Sequence, residues 1–220
     1  MPVVFISSTA EDLKRHREAA RDAAIAAECL PRMMEYFAAS GQHPPLAACL
    51  DKVSEADVLV VIVAHRYGWV PPDQPVDTYK SITWLECEQA VANGKEVLAF
   101  LIDDKQAWPD DQREEHAIAA AVRERKATPQ LLETVQRNVD GLRELKDWLN
   151  TRGIRATFTT PVDLQGKVFQ ALHEWRGRQG EVAGSDMLDS GLRLQASAVR
   201  RPEFLPPATT APQRDARLRS

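Results

Sequence analysis

The feature that most constrains the fold is an unbroken run of six aliphatic residues, Val58–Val63, bounded by Asp57 and His65. Five of the six side chains are β-branched, which favours a strand. Apolar and polar residues do not alternate within the run, so the strand must be buried on both faces. Burial on both faces is typical of a parallel sheet that is covered by helices on either side. The run therefore predicts the centre of an α/β domain.

Four further segments are predicted to be strands of the same sheet. Val3–Ile6 and Val97–Ile102 are apolar runs of the buried kind. Cys29–Tyr36 contains Pro31, which removes a backbone donor, so this strand is placed at a sheet edge where proline is tolerated. Arg155–Thr159 is the candidate for the fifth strand.

Helical patterns lie between these strands. Two helix starts are predicted from capping-box spacing, at Ser8 with Glu11 and at Thr83 with Glu86. Alternating strands and helices of this length predict βαβ units with right-handed crossovers. The predicted helices are one that follows Ser8, then Leu46–Glu55, Thr83–Asn93, a charged helical stretch at about 104–150, and Pro161–Trp175.

The α/β domain is predicted to span residues 1–178, and residues 179–220 are predicted to be a disordered tail or linker. The tail has few aromatic residues and four prolines among scattered arginines, a composition that does not support a packed core. The sequence contains no GxxxxGK[ST] pattern, so no P-loop NTPase module is predicted within it.

Composition narrows the classes of partner and site. A net charge of −4 argues against general binding to nucleic acid or to an anionic membrane. No signal peptide or membrane-spanning run is recognisable, so a cytoplasmic protein is expected. Three cysteines without CxxC spacing predict neither a disulfide framework nor a metal site. His16 and His173 lie on predicted helices and are expected to be exposed.

Ligands of open parallel sheets bind beyond the carboxyl ends of the strands. Three predicted loops meet at that edge, Ser7–Thr9, Glu35–Pro45 and His65–Ser81. The third loop is rich in aromatic residues, including Tyr67 and Tyr79. The sequence therefore predicts a cleft of the size of a nucleotide at this edge.

Two glutamates at the start of the following helix are candidates for chemistry. Glu86 has a structural role in the predicted capping box with Thr83. Glu88 lies four residues after Trp84, so the two side chains share one helix face. Local helix chemistry requires nothing of Glu88, which is either functional or a solvated surface residue.

Several short motifs, taken in order, resemble a TIR-like domain of the group found at the N-termini of STAND-type signalling NTPases. The motifs cover about residues 3–102 and are specific through their order and spacing. They are Val4–Thr9 with Glu11–Leu13, Met34–Phe37, Ala56–Val58, His65–Gly68, Ser81–Thr83 and Glu86–Glu88.

The resemblance implies a flavodoxin-like, five-stranded parallel sheet of order 2-1-3-4-5. The charged helical stretch at about 104–150, before the last strand, is expected to be an insertion that departs from the minimal fold of this family. Enzymatic TIR domains use the glutamate of a WxxxE pattern to cleave the nicotinamide glycosidic bond of NAD. Trp84 and Glu88 match that pattern, so Glu88 is the expected catalytic residue, with NAD as substrate and no cofactor. The expected substrate-binding residues are Ser7, Ser8, Thr9, Arg66, Tyr67, Ser81 and Trp84.

Three functions stay open. The first is a hydrolase of NAD, NADP or a related nucleotide that acts in immune or antiphage signalling and is switched on by self-association. It would form a homo-oligomer and work with a STAND NTPase module in cis or in trans. The second is a catalytically silent module for homotypic assembly through its helix faces and the 65–80 loop. The third is a nucleoside-processing enzyme similar to deoxyribosyltransferases.

Overall fold

A computed structural model describes residues 1–33, 46–75, 77–152 and 155–198, with side chains described as far as residue 179. The chain divides into two compact units, Met1–Arg176 and Gly177–Ser220. The α/β fold belongs to the first unit.

The first unit is built on a five-stranded, fully parallel sheet of order β2-β1-β3-β4-β5. Val4 pairs with Val58 between β1 and β3, and Val58 in turn pairs with Glu96 of β4. The predicted flavodoxin-like class and strand order are confirmed. The strands are β1 (Val3–Ser8), β2 (Leu30–Arg32), β3 (Val58–Val63), β4 (Glu96–Ile102) and β5 (Ala156–Phe158).

The central strand β3 is buried along its whole length, as its sequence predicts. Because successive side chains of a strand point to opposite faces, β3 supplies both layers of the core. Val60 and Ile62 belong to one apolar cluster, and Leu59 and Val61 belong to the other.

Helices cover both faces of the sheet. α1 and α6 supply the first cluster, for example through Ala20 and Leu172. α2, α3 and α5 supply the second, through residues such as Val53, Cys87 and Leu145. The helices are α1 (Lys14–Ala26), α2 (Leu46–Ser54), α3 (Ile82–Ala92), α4 (His116–Arg123), α5 (Pro129–Asn150) and α6 (Pro161–Ala198).

The predicted edge strand is present but short. β2 covers only Leu30–Arg32, with Pro31 at the sheet edge, where its missing N–H breaks no ladder bond to a further strand. Residues 34–36 of the predicted strand lie outside the described residues, as does the predicted loop Glu35–Pro45.

The predicted insertion at 104–150 consists of a 3₁₀ turn (Asp110–Gln112), α4 and α5. α5 makes the crossover from β4 to β5 and packs three leucines onto the sheet, so it is part of the core. α6 continues past the predicted end at Trp175 to Ala198, whereas residues 199–220 lie outside the described part. No described helix has the length and apolar character needed to cross a bilayer.

The predicted capping box at Ser8 and Glu11 is wrong. α1 begins at Lys14, and its N-cap residue Leu13 makes no side-chain capping bond. The hydroxyl of Ser8 instead accepts a hydrogen bond from Nη1 of Arg17, at 2.7 Å. The buried Arg17 of α1 thus binds the Ser8 hydroxyl oxygen, which the local pattern had predicted to cap the helix.

Candidate functional site

The candidate site lies where β1 ends beside the first turns of α3. Ser7 and Ser8 are the last two residues of β1. α3 begins at Ile82 after the N-cap Ser81, whose side chain accepts a hydrogen bond from the Trp84 backbone N–H at 3.4 Å. The predicted capping box with Thr83 as N-cap is therefore wrong, because the cap lies two residues earlier. As a result, the carboxyl group of Glu86 is not engaged in capping.

Glu86 instead faces the end of β1. Its side chain is 2% exposed, and its Oε2 accepts a hydrogen bond of 2.5 Å from the hydroxyl of Ser7. Within the described residues its other oxygen, Oε1, has no hydrogen-bond partner. Burial raises the pKa of Glu86 to about 7, although the Ser7 hydroxyl and the charge of Arg17 act in the opposite direction. A buried carboxyl group that titrates near neutrality is suited to chemistry.

Arg17 is the positively charged group whose electrostatic effect reaches this carboxyl. It is 2% exposed and donates from Nη1 to both the carbonyl and the hydroxyl oxygen of Ser8, at 3.1 and 2.7 Å. These bonds hold the end of β1 against α1. Arg17 thereby places a fixed positive charge near Glu86.

Glu88 lies in different surroundings. Its carboxylate forms an ion pair of 2.6 Å with Lys80, and about a third of each side chain is exposed. Nζ of Lys80 also lies 5.2 Å from the ring centre of Trp84, and that ring packs against Trp148 of α5. Trp84 and Glu88 share a helix face, as predicted, and this face fastens the loop before α3. The catalytic role of Glu88 stays a prediction.

The other predicted binding residues are distributed over the same edge. Arg66 pairs with Glu11 at 2.9 Å and donates to the backbone oxygen of Asp111. Thr9 packs against Gly68, whose φ of +87° suits glycine and where an added Cβ would lie 2.8 Å from the Thr9 methyl group. These contacts make Thr9 and Arg66 parts of the loop packing around the end of β1.

Tyr67 is buried and structural. Its hydroxyl donates to the backbone oxygen of Tyr79 at 3.0 Å, and its backbone N–H donates to Glu114. Asn138 of α5 closes the chain of contacts, because it donates to Glu114 and accepts from the Tyr79 hydroxyl at 2.7 Å. Gly141 lets α5 approach the Tyr67 ring closely. The 65–80 loop is thus joined to α5 by a continuous hydrogen-bonded network.

A groove of about 710 Å³ runs between this loop and α5. Neither Glu86 nor Glu88 lines it. Its walls are mostly loop residues with prolines and aromatic rings, and α5 adds two polar side chains. They include Trp69, Val70, Pro71, Pro75, Tyr79, Thr134 and Asn138. The predicted aromatic loop therefore does form a concave surface, but not one that contains either glutamate.

Sequence reasoning missed a cluster of polar rings that forms between α1 and the segments after β3 and β4. His16 is 8% exposed, so the prediction that it is exposed is wrong; the indole of Trp108, 5.4 Å away, covers it. His65 packs on the same indole at 5.6 Å. Burial lowers the pKa of His65 to about 4. Burial also raises the pKa of the Asp12 carboxyl, which lies one helical turn before His16 in the sequence. The position of His65, two residues after the end of the central strand, was the one available signal.

Comparison with known proteins identifies a family whose description states no activity. A family described as "Domain of unknown function (DUF4062)" matches residues 3–173. No curated protein matches the chain. The described residues contain no group of three or more His, Cys, Asp or Glu side chains that could hold a metal ion.

Proposed function

Because the chain belongs to the family described as a domain of unknown function (DUF4062), which names no reaction, we propose a function from the geometry of the site. The domain hydrolyses the N-glycosidic bond of NAD or a related nucleotide, and Glu86 is the catalytic carboxylate. One observation carries the proposal: a buried carboxyl group at the carboxyl edge of the sheet, held by Ser7 and with one oxygen unpartnered among the described residues.

The chemistry requires a carboxylate in such a place. When nicotinamide leaves, it takes the electron pair of the C–N bond and becomes neutral, while positive charge develops on the ribose carbon. An ionised carboxylate stabilises that charge or attacks the carbon, and water then supplies the hydroxyl group. Ser7 and Arg17 favour the ionised form of Glu86 against the effect of burial. The site therefore keeps a carboxylate that is both desolvated and ionisable near pH 7.

This assignment differs from the one implied by the WxxxE pattern. Glu88 is paired with Lys80 on the side of α3 that holds the loop, whereas Glu86 faces the strand end where ligands of this fold bind. Trp84 supports the helix by packing on Trp148. The geometry favours Glu86 for the chemical step and Glu88 for fastening the loop.

Access to Glu86 requires a change of conformation. A side chain that is 2% exposed cannot meet a substrate until neighbouring segments move. We propose that self-association of the domain produces this movement, as expected of a signalling or defence module. A STAND NTPase module, in cis or in trans, would then control activity by controlling assembly.

The test is nicotinamide release from NAD at high protein concentration, followed by chromatography. Glu86→Gln keeps the shape of the side chain and removes its ionisation, so we expect a loss of about 100-fold or more. Glu88→Gln is the matched control two residues away and should retain most of the activity. If only Glu88→Gln is inactive, the catalytic assignment returns to Glu88.

The burial of Glu86 also favours a second candidate, a catalytically silent module for homotypic assembly. In that case no nicotinamide would be released even by assembled protein. Substitutions on the 65–80 loop, such as Lys80→Glu, would then abolish self-association, while Glu86→Gln would leave it intact. Sedimentation of the two variants separates this candidate from the hydrolase.

A further inference from the structure

A second set of polar groups lies at the carboxyl ends of β3 and β4 and shares no residue with the Glu86 site. His65 follows β3, Trp108 follows β4, and His16 comes from α1. The indole lies between the two imidazoles, with ring centres 5.6 and 5.4 Å apart. Nε2 of both histidines and Nε1 of Trp108 are buried and have no hydrogen-bond partner among the described residues. Three ring nitrogens that can donate are thus available to an acceptor.

Two positive charges lie near His65. Lys146 of α5 and Arg113 lie close enough for their charges to lower the pKa of His65, in addition to the effect of burial. Lys146 is itself enclosed, with only 20% of its side chain exposed. Burial lowers the pKa of Lys146, and Arg155 and Arg113 add to that effect. Cations from three separate segments therefore crowd one place.

The carboxylates near these cations are loosely held. Asp104 lies 3.7 Å from Lys146 and is 87% exposed, and Asp110 lies 3.8 Å from Arg113 and is 97% exposed. Glu115 is a further carboxylate in the neighbourhood of His65. Side chains as exposed as Asp104 and Asp110 gain little from such pairs and can turn away into water. An anion with several acceptor oxygens would satisfy the cations and the ring nitrogens together.

We propose that this group, called here the rim site (His65, Trp108, Arg113 and Lys146), binds the phosphate or pyrophosphate group of a nucleotide. The identity of the ligand as a nucleotide rests on the proposed function, whereas the anion site stands on its own residues. Ser7, beside Glu86, is the penultimate residue of β1, and the rim site lies beyond β3 and β4. Neighbouring strands are about 4.8 Å apart, so β1 and β4 are separated by about 10 Å. This distance matches the scale of a phosphorylated nucleoside better than that of a free base.

The experiment is a calorimetric titration of the full chain carrying Glu86→Gln, so that no ligand is consumed. The probes are inorganic pyrophosphate, ADP-ribose and adenosine, at low and high salt. We expect pyrophosphate and ADP-ribose to bind, more weakly at high salt, and adenosine to bind without dependence on the rim site. Lys146→Gln and Arg113→Gln should each weaken binding of the two phosphate-bearing probes about tenfold or more, the loss typical of a charged hydrogen bond.

Lys126→Gln is the control, because it removes an exposed lysine that is paired with Glu124. Thermal melting of every variant checks that it folds, and the two rim variants are independent of each other. The proposal is overturned if neither phosphate-bearing probe binds, or if Lys126→Gln weakens binding as much as Lys146→Gln does. If pyrophosphate alone binds as tightly as ADP-ribose, the rim site holds a free anion and the nucleotide assignment fails.

The two proposals fail separately. If ADP-ribose binding depends on Lys146 but NAD is not cleaved, the hydrolase proposal is contradicted and the rim-site proposal is supported. If NAD is cleaved with a KM that neither Lys146→Gln nor Arg113→Gln changes, the rim-site proposal is contradicted and the hydrolase proposal is supported.

Discussion

Glu86 and Glu88 lie two positions apart on α3, and this small separation decides their surroundings. Residues two apart on an α-helix are separated by about 200° around its axis, so they point to opposite sides. The sequence correctly predicts that Trp84 and Glu88 share a face. It could not show which face meets the end of β1, because Trp84 and Glu86 are both buried and the helix carries no clear polar side.

The first prediction concerns the pH dependence of NAD cleavage. Nicotinamide leaves without needing a proton, so only the ionised form of Glu86 is useful. Because the pKa of Glu86 is about 7, the rate should rise as the pH increases through 7 and level off above 8. Initial rates between pH 5.5 and 8.5 check this. A rate that falls over the same range would instead indicate a protonated Glu86 that acts as an acid on a neutral base.

The second prediction concerns Ser7. Its hydroxyl stabilises the ionised form of Glu86, so Ser7→Ala should raise the pKa of Glu86. The midpoint of the rate profile should move to higher pH, with activity lost at pH 7 and partly recovered at pH 9. Ser7→Thr keeps the hydroxyl and should keep the midpoint. An equal loss of rate at every pH in Ser7→Ala would contradict this explanation.

At the scale of elements, the strands were far easier to predict than the helix starts. β3 and β4 are apolar runs whose burial follows from composition alone. Both predicted capping boxes were wrong because tertiary hydrogen bonds competed for the same oxygens. Arg17 binds the Ser8 hydroxyl, and Ser7 binds the Glu86 carboxylate. These partners lie nine and 79 residues away, beyond the three-residue spacing of a capping box, so the local pattern does not reveal them.

The third prediction tests the contact between α5 and the 65–80 loop. An added Cβ at Gly141 would lie 2.6 Å from Cζ of Tyr67, which is closer than atoms can approach. Gly141→Ala should therefore destabilise the protein by about 1–3 kcal/mol. Gly166→Ala in α6 is the control, since nothing lies within 4 Å of its added Cβ, and it should stabilise by about 0.5–1 kcal/mol. Urea denaturation measures both, and equal effects would contradict the close packing.

For the whole molecule, the half-buried His65 and the buried Glu86 impose opposite pH dependences on stability. The pKa of His65 falls to about 4 in the folded chain, from an ordinary value of 6.5. Its contribution to stability is therefore lost as the pH drops from 6.5 to 4. The pKa of Glu86 rises from 4.5 to about 7, so its contribution is lost as the pH rises over that range. The stability of the wild type should consequently change little between pH 5 and 7.

The fourth prediction separates these two effects. Glu86→Gln removes the group whose ionisation destabilises the fold, so it should exceed the wild type in stability at pH 8 by about 2–3 kcal/mol. At pH 5 the two proteins should be nearly equal, because Glu86 is then protonated. Chemical denaturation at both pH values provides the measurement, with Glu88→Gln, a change at a partly exposed glutamate of the same helix, as the control. A variant that is less stable at pH 8 would show that ionised Glu86 supports the fold.

The sequence predicted the class of the molecule better than its site. Motif order implied the strand order, and the apolar runs implied the two-sided burial. The cluster of His16, His65 and Trp108 was not predicted, because it joins positions more than 40 residues apart. Only the fold of the connection after β4 brings Trp108 over His16. Contacts of this kind are set by loop paths that periodicity does not encode.

The network that runs from Tyr67 through Glu114 and Asn138 to Tyr79 has a practical consequence for protein engineering. The segment between β4 and β5 cannot be deleted without loss of structure, because its helix α5 supports the 65–80 loop through these hydrogen bonds. A smaller scaffold that carries the Glu86 site must therefore retain α5, or the loop must be redesigned from Tyr67 onward.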